Sequence, residues 1–281
     1  MIPRVTEPGV HLVELAGDHP GFQDLAYRKR RDEIARLSLA WQRGHAIAPV
    51  PYTEEEHAVW RTILQALAPI HAARAGRAYL EACEEVALPV ERIPQLGEMN
   101  ARLQGRGGFQ MVPAGGLVGA REFLLSLGAS EFVSTQYIRH ASRPFYTPEP
   151  DVVHELVGHA ASLAHPLFAR LNTLFGRAAS LTREDDEAAV VSLIRLYWWT
   201  VEFGVHEEDG VIKTCGAGLL SSVGELGGFE TKAALRRFSA EDAIATAFDP
   251  TAYQGTLFVG TSFQAVVDET AAWLERRISG S

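Results

Sequence analysis

Residues 151–159 read DVVHELVGH, which sets two imidazoles and a carboxylate, His154, Glu155 and His159, close together. Neutral imidazole is a common metal ligand, and a neighbouring glutamate is a common base. A helical zinc-hydrolase site spaces its histidines four apart, so that both face one way, and uses the glutamate as general base. Here the second histidine falls one position later. On a regular α-helix, residues five apart are turned by roughly 140° from each other. His154 and His159 then reach one ion only from opposite flanks of a face. That suits an open, facial site better than the hydrolase geometry.

Two histidines leave a ligand missing, and Glu202 in LYWWTVEFG (196–204) is the candidate. An unpaired carboxylate among aromatics and aliphatics is costly to bury, and a metal neutralises it. Two histidines and one carboxylate make the facial set of non-haem Fe(II) oxygenases, with positions left for dioxygen and a co-substrate. Spacing alone leaves alternatives open. The histidines can be satisfied core residues, and Glu202 can pair with a surface arginine. A zinc hydrolase built on His154, His159 and Glu155 is a third reading. A binding module that keeps these residues without chemistry is a fourth.

The elements that must position these groups are mostly helical. Pro148, Pro150 and Asp151 start a helix running from about 151 to 164 and stopping before Pro166. Thr182 and Asp185 form a capping pattern before an apolar-periodic run through Val190, Leu193, Ile194, Tyr197, Trp198 and Val201, ending at Gly204. Further helices are expected over 19–43, after the Thr53–Glu56 capping box, from Ser239, and at the end of the chain in SFQAVVDETAAWLERRI. Strand signals are few: a hairpin in VHEEDGVIK around Asp209-Gly210, and TLFVG near 255–260. The Gly-rich stretch 105–120 reads as an irregular loop. The expected fold class is mainly α, with a small β-hairpin or sheet.

Bulk properties narrow the partners. The 281 residues are 47 % hydrophobic and 22 % charged, with a net charge of −9. The longest basic run is RKRR at 28–31, which argues against nucleic acid and anionic membranes as main partners. Two cysteines, Cys83 and Cys215, make no disulfide framework and suggest a reducing compartment. With no signal-peptide pattern and no apolar run of membrane-spanning length, the expected location is the cytoplasm.

Longer motifs are more specific. DHPGFQDLAYRKRR (18–31), PYTEEEHAVW (51–60), IPQL (93–96), STQYIRHASRPFYTPEPDVVHELVGH (134–159), LYWWTVEFG (196–204) and GAGLLSSVGEL (216–226) occur in this order. By these segments the chain resembles the pterin-dependent aromatic amino acid hydroxylases, from about residue 18 to 275, and its internal segments look closer to the animal enzymes than to the bacterial ones. The resemblance implies a single catalytic domain over 1–281, without the regulatory domain or tetramerisation helix of the animal enzymes. It further implies a monomer or weak homodimer acting on a free amino acid.

Carried over by motif, His154, His159 and Glu202 would ligate Fe(II), and Glu155 and Tyr197 would lie beside the tetrahydropterin, tetrahydrobiopterin or a relative of it. In GGLVGAREF, Gly116, Leu117 and Val118 would give the pterin backbone contacts and Phe123 would stack on its ring. Arg139 would bind the substrate carboxylate, steadied by Asp151. Thr147, Pro148, Trp198, Phe203, Gly218 and Ser221 would line the substrate pocket. Without the motif match, Phe123, Trp198 and Phe203 read as core, and Arg139–Asp151 as a structural ion pair. The implied reaction takes O2 as co-substrate and places a hydroxyl on the ring, with phenylalanine to tyrosine first. Tryptophan hydroxylases typically carry Phe at the position of Trp198. Tyr146-Thr147 departs from the His-Ser of tyrosine hydroxylases, and Pro250 falls near one of their Asp residues. Three positions leave the family pattern: Val133, Ala160-Ala161, and Phe248 where Tyr is common. Tyrosine or tryptophan as substrate, or hydroxylation at the meta position of phenylalanine, stay open.

Overall fold

The computed structural model describes residues 15, 17 and 19–280. Helices form most of it. α1 (Leu25–Leu39), α2 (Glu54–Arg74), α3 (Arg77–Val86) and α4 (Leu96–Leu103) come first. The capping box expected at Thr53 and Glu56 is formed. The basic run lies on α1, but it does not make a free cationic stripe. Arg30 Nε donates to Glu56 at 2.9 Å. Arg31 is 2 % exposed, donates to Glu149 at 2.7 Å, and lies over the Tyr137 ring.

β1 (Gln110–Pro113), α5 (Ala120–Gly128) and β2 (Glu131–Ser134) follow. β1 pairs in parallel with β2, so the Gly-rich stretch expected to be irregular holds a strand. Its partner lies beyond an intervening helix, and no local pattern announces such a pairing. Next come a wide helical turn over His154–Ala160, α6 (Ala161–Ala164), α7 (Pro166–Leu181) and α8 (Glu187–Tyr197). A second wide turn over Trp198–Glu202 extends α8. The cap of α8 differs from expectation. Asp186 accepts from Ala189 N–H, whereas Thr182 ends α7 and its hydroxyl donates to Ala178 O.

The remainder holds β3 (Val205–Glu208), β4 (Val211–Thr214), α9 (Ala217–Leu220), α10 (Val223–Leu226), α11 (Phe229–Lys232), β5 (Ala234–Arg237), α12 (Ala240–Ala245), β6 (Thr256–Gly260) and α13 (Phe263–Ser279). β3 and β4 make the expected hairpin, and Asp209 and Gly210 both take positive φ, as a type I′ turn demands. The sheet order is β4-β3-β6-β5. The expected strand at 256–260 is its third member, and β5 was not expected. The mainly α fold with a small sheet is the one anticipated. The core runs under all of it, with Trp60 and Trp199 buried and their indole N–H groups satisfied by Pro89 O and Thr246 O. No helix among the described residues is long and apolar enough to cross a membrane.

Candidate metal and cofactor site

The wide turn over His154–Ala160 resolves the spacing of the two histidines. Its backbone bonds run i→i+5, so residues five apart lie over one another. His154 Nε2 and His159 Nε2 come to 3.0 Å, on one side of the helix rather than on opposite flanks. The turn at Trp198–Glu202 does the same on the facing element, where Phe203 N–H donates to Trp198 O at 2.8 Å. It delivers Glu202, whose carboxylate oxygens lie 3.0 Å from His159 Nε2 and 3.5 Å from His154 Nε2. One ligand atom from each of the three residues lies within 4.8 Å of the others, an arrangement able to hold a metal ion. Glu202 meets imidazoles and no arginine.

The surroundings set the charge state of each group. Burial holds His154 down to about 4, against the attraction of Glu202, so the ring is neutral at pH 7. Its Nδ1 stands 3.0 Å from Ser221 Oγ, and that hydroxyl donates to Ala217 O at 2.8 Å. A hydroxyl has one hydrogen, so Ser221 accepts from Nδ1–H and leaves the Nε2 lone pair for the cluster. Ser221, expected in the substrate pocket, thus stands behind a candidate ligand. Burial disfavours the charged forms of His159 and Glu202, but each outweighs it for the other: His159 is raised and Glu202 lowered. Gly158 lets the helix sit on α9; a Cβ there would fall 2.8 Å from Ala217 O.

Glu155 is 5 % exposed and accepts from Thr135 N–H at 3.1 Å and Thr135 Oγ1 at 2.9 Å. Burial pushes its carboxyl up to about 7. Ring contacts connect this region to α5: Phe132 lies 4.5 Å from His159 between centroids, and Phe123 lies 5.8 Å from Phe132 and 5.3 Å from Tyr197. Tyr197 turns its hydroxyl away to Asn172 Oδ1 at 3.1 Å. Gly116, Leu117 and Val118 lie in the link from β1 to α5, where Leu117 is 67 % exposed and its two neighbours are half-buried.

Arg139 and Asp151 make a buried, two-pronged pair, Nε–Oδ2 2.9 Å and Nη2–Oδ1 2.7 Å. Asp151 also accepts from Arg139 N–H at 2.7 Å and His154 N–H at 3.3 Å. It therefore fixes the arginine and the helix start together. Thr147 Oγ1 donates to Glu149 O, closing a turn beside Pro148. Trp198 packs on Phe203, ring centroids 4.7 Å apart, and Gly218 lies under Phe203. Phe132, Thr135, Asn172 and Gln254 were missed in the sequence. Thr135 lies in the quoted STQYIRH motif, but neither its type nor its spacing marks it.

The family model described as biopterin-dependent aromatic amino acid hydroxylase matches residues 7–279. Tyrosine 3-monooxygenase of Bos taurus is 41 % identical over 276 residues, 95 % of this chain and 56 % of that protein. The chloroplastic phenylalanine 4-monooxygenase of Pinus taeda is 45 % identical over 212 residues, 75 % of this chain and 59 % of its own. The chain spans about half the length of the curated relatives it matches. Chromobacterium violaceum phenylalanine hydroxylase, solved with bound iron(III) and 7,8-dihydrobiopterin, superposes with a TM-score of 0.75 at 27 % identity, over 88 % of this chain and 92 % of that one. The similarity thus spans both tyrosine and phenylalanine enzymes, and what they share is the family: this chain belongs to the biopterin-dependent aromatic amino acid hydroxylases.

Proposed function

We propose that this chain hydroxylates the ring of a free aromatic L-amino acid, phenylalanine to tyrosine first, with non-haem Fe(II), a tetrahydropterin and O2. The observation that carries it is the convergence of His154, His159 and Glu202. Ligand atoms bound at right angles to one ion by bonds of about 2.1 Å stand about 3 Å apart. His159 Nε2 lies 3.0 Å from both His154 Nε2 and a Glu202 oxygen, and the Glu202 carboxylate comes to 3.5 Å from His154 Nε2, so the residues fit a facial site. Three ligands also leave positions for further groups, as a closed structural zinc site does not.

Bound iron and tetrahydropterin would supply the site and the two electrons for reducing O2, one atom of which would enter the ring. The chain's own residues bind and orient. Ser221 keeps His154 in the ligating tautomer. Phe123 offers a ring to a flat heterocycle, and the N–H groups of Leu117 and Val118 donate to no acceptor among the described residues. Glu155, near its neutral point, can share a hydrogen bond with a pterin nitrogen. Arg139 uses Nε and Nη2 on Asp151, which aims the rest of its fork at a carboxylate. Trp198, Phe203 and Phe248 form an apolar wall. The one polar hydrogen of that wall, the Trp198 indole N–H, is taken by Gln254 Oε1, and both amide hydrogens of Gln254 go to backbone carbonyls. The wall therefore offers a tyrosine hydroxyl no free donor, which supports phenylalanine.

Tyrosine 3-hydroxylation is the second reading, supported by the tyrosine 3-monooxygenases among the relatives. The test incubates purified protein with Fe(II), tetrahydrobiopterin, O2 and each aromatic amino acid, and resolves the products by ring position. Tyrosine from phenylalanine, at the highest kcat/KM, is expected. Dihydroxyphenylalanine as the preferred product would select the second reading. No hydroxylated product from any of the three would refute both.

A further inference from the structure

Trp198 is held by a device outside the ligand cluster. Its indole Nε1 donates to Gln254 Oε1 at 3.2 Å. Its ring stacks on Phe248 at 4.1 Å and 9°. Gln254 is 8 % exposed and sits at the end of the loop that joins α12 to β6. Its Nε2 donates to Asp249 O at 2.9 Å and Ala252 O at 2.8 Å, and its N–H donates to Glu225 Oε1 at 3.0 Å. The amide is therefore locked. Flipped, it would set NH2 against the indole N–H and its oxygen against two carbonyls. Stacking on Phe248 tolerates in-plane sliding of the indole, whereas the hydrogen bond is directional. The Trp198 backbone is fixed independently, because its carbonyl closes the wide turn that carries Glu202.

We propose that Gln254 is a positioning residue for the substrate ring. It sets the in-plane orientation of Trp198 relative to the turn bearing Glu202, and so the carbon of the ring presented for hydroxylation. This rests on the reading of Trp198 as a wall of the substrate pocket. Phe248, which departs from the family pattern, is the stacking face against which Gln254 works. With the indole released, the substrate ring has more than one seat, and small misplacements of a reacting atom are expensive in rate.

The test is a double-mutant cycle on the full chain. Gln254→Met keeps the side-chain volume and removes the amide, and Trp198→Phe removes the indole N–H. Gln254→Met is expected to lower kcat/KM for phenylalanine by about tenfold. Hydroxylation should spread from the para to the meta carbon, and more pterin should be oxidised per product formed. In the Trp198→Phe background the same substitution should change neither ring position nor coupling. Equal effects in both backgrounds would show that Gln254 acts through its loop alone and would overturn the proposal. A second readout needs neither iron nor pterin. The fluorescence anisotropy of Trp198, taken as the difference from Trp198→Phe, should fall in metal-free Gln254→Met; unchanged anisotropy also overturns the hold. If Trp198→Phe alone leaves ring position and substrate preference untouched, the pocket reading fails, while the anisotropy still reports separately on the hold.

Discussion

Ser221→Ala measures how far the three-ligand site depends on a side chain that ligates nothing. The Ser221 hydroxyl is buried, donates to Ala217 O at 2.8 Å and faces His154 Nδ1 at 3.0 Å. Its removal leaves the Nδ1–H of a largely buried ring without an acceptor, which costs about 1–3 kcal/mol. Ala217 O is not orphaned, because Ser221 N–H also donates to it at 3.0 Å. The cost therefore falls on His154. With its preferred tautomer no longer enforced, the ring can carry its hydrogen on Nε2, the atom aimed at His159 and Glu202. Loss of such a supporting bond typically weakens metal binding by about 10–100-fold. The expected result is that fall in Fe(II) affinity, read by chelator competition on metal-free protein, with the thermal midpoint little changed. Nitrogen-resolved NMR of metal-free protein should show His154 as the Nδ1–H tautomer in the parent and as a mixture in the variant. Affinity within about twofold of the parent, or a parent His154 protonated on Nε2, would refute the reasoning.

Glu202→Ala removes the sole carboxylate of the cluster and leaves two imidazole nitrogens 3.0 Å apart; iron should be lost on gel filtration, and a variant that keeps one iron per chain would overturn the ligand assignment. Gly218→Ala sets a methyl 2.7 Å and 2.8 Å from two atoms of the Phe203 ring. Overpacking of this kind costs about 1–3 kcal/mol, so the urea midpoint should fall and the preference among aromatic amino acids should shift, and no change in either would show that the ring yields freely. His206 is 1 % exposed, neither of its ring nitrogens has a hydrogen-bond partner, and burial holds it below the ordinary 6.5 against the attraction of Glu208, whose carboxylate lies 3.6 Å from Nε2. Its stabilising effect is complete above that value and is lost as pH falls towards the folded-state value, because the unfolded chain takes up a proton that the folded one resists. The loss is at most roughly 1.4 kcal/mol per pH unit; His206→Phe should flatten the acid limb of urea stability between about pH 7 and pH 5, and an unchanged slope would count against the assignment.

The residues carrying charge were the easiest to find in the sequence, because their costs are local. Two histidines lack a third ligand and a carboxylate among Trp, Val and Phe has to be neutralised, and the two together point to Glu202. The turn geometry was not legible in the same way. Counting with a 3.6-residue period placed His154 and His159 on opposite flanks, whereas the backbone widens by one residue there and stacks them. The clue was present in the spacing itself, since a functional pair five apart inside a helical pattern fits an i→i+5 turn. Thr182 misled for a different reason. A hydroxyl three residues before an acid fits a helix start, yet here it closes the preceding helix, and Asp186 caps the next. β1 and β2 escaped because each is four residues long and its pairing crosses α5. Gln254 escaped because a glutamine in a loop carries no periodicity at all.

The two wide turns are the common cause behind the site. An α-helix offers side chains in stripes three and four apart, and neither stripe would bring His154 onto His159. A turn with i→i+5 bonds gives up regular packing of the backbone, and such turns are frequent at functional sites. Here both ligand-bearing helices contain one, and each is anchored at an end by a group that also serves a neighbour. Asp151 takes the His154 N–H at the start of the first turn while gripping Arg139. Trp198 O takes the Phe203 N–H at the end of the second while the Trp198 indole is held by Gln254. The candidate metal ligands, the arginine proposed to bind the substrate carboxylate and the proposed wall of the ring pocket are thus tied to the same two irregularities. A substitution that relaxed either turn to a plain α-helix would move a candidate metal ligand and a proposed substrate contact at once.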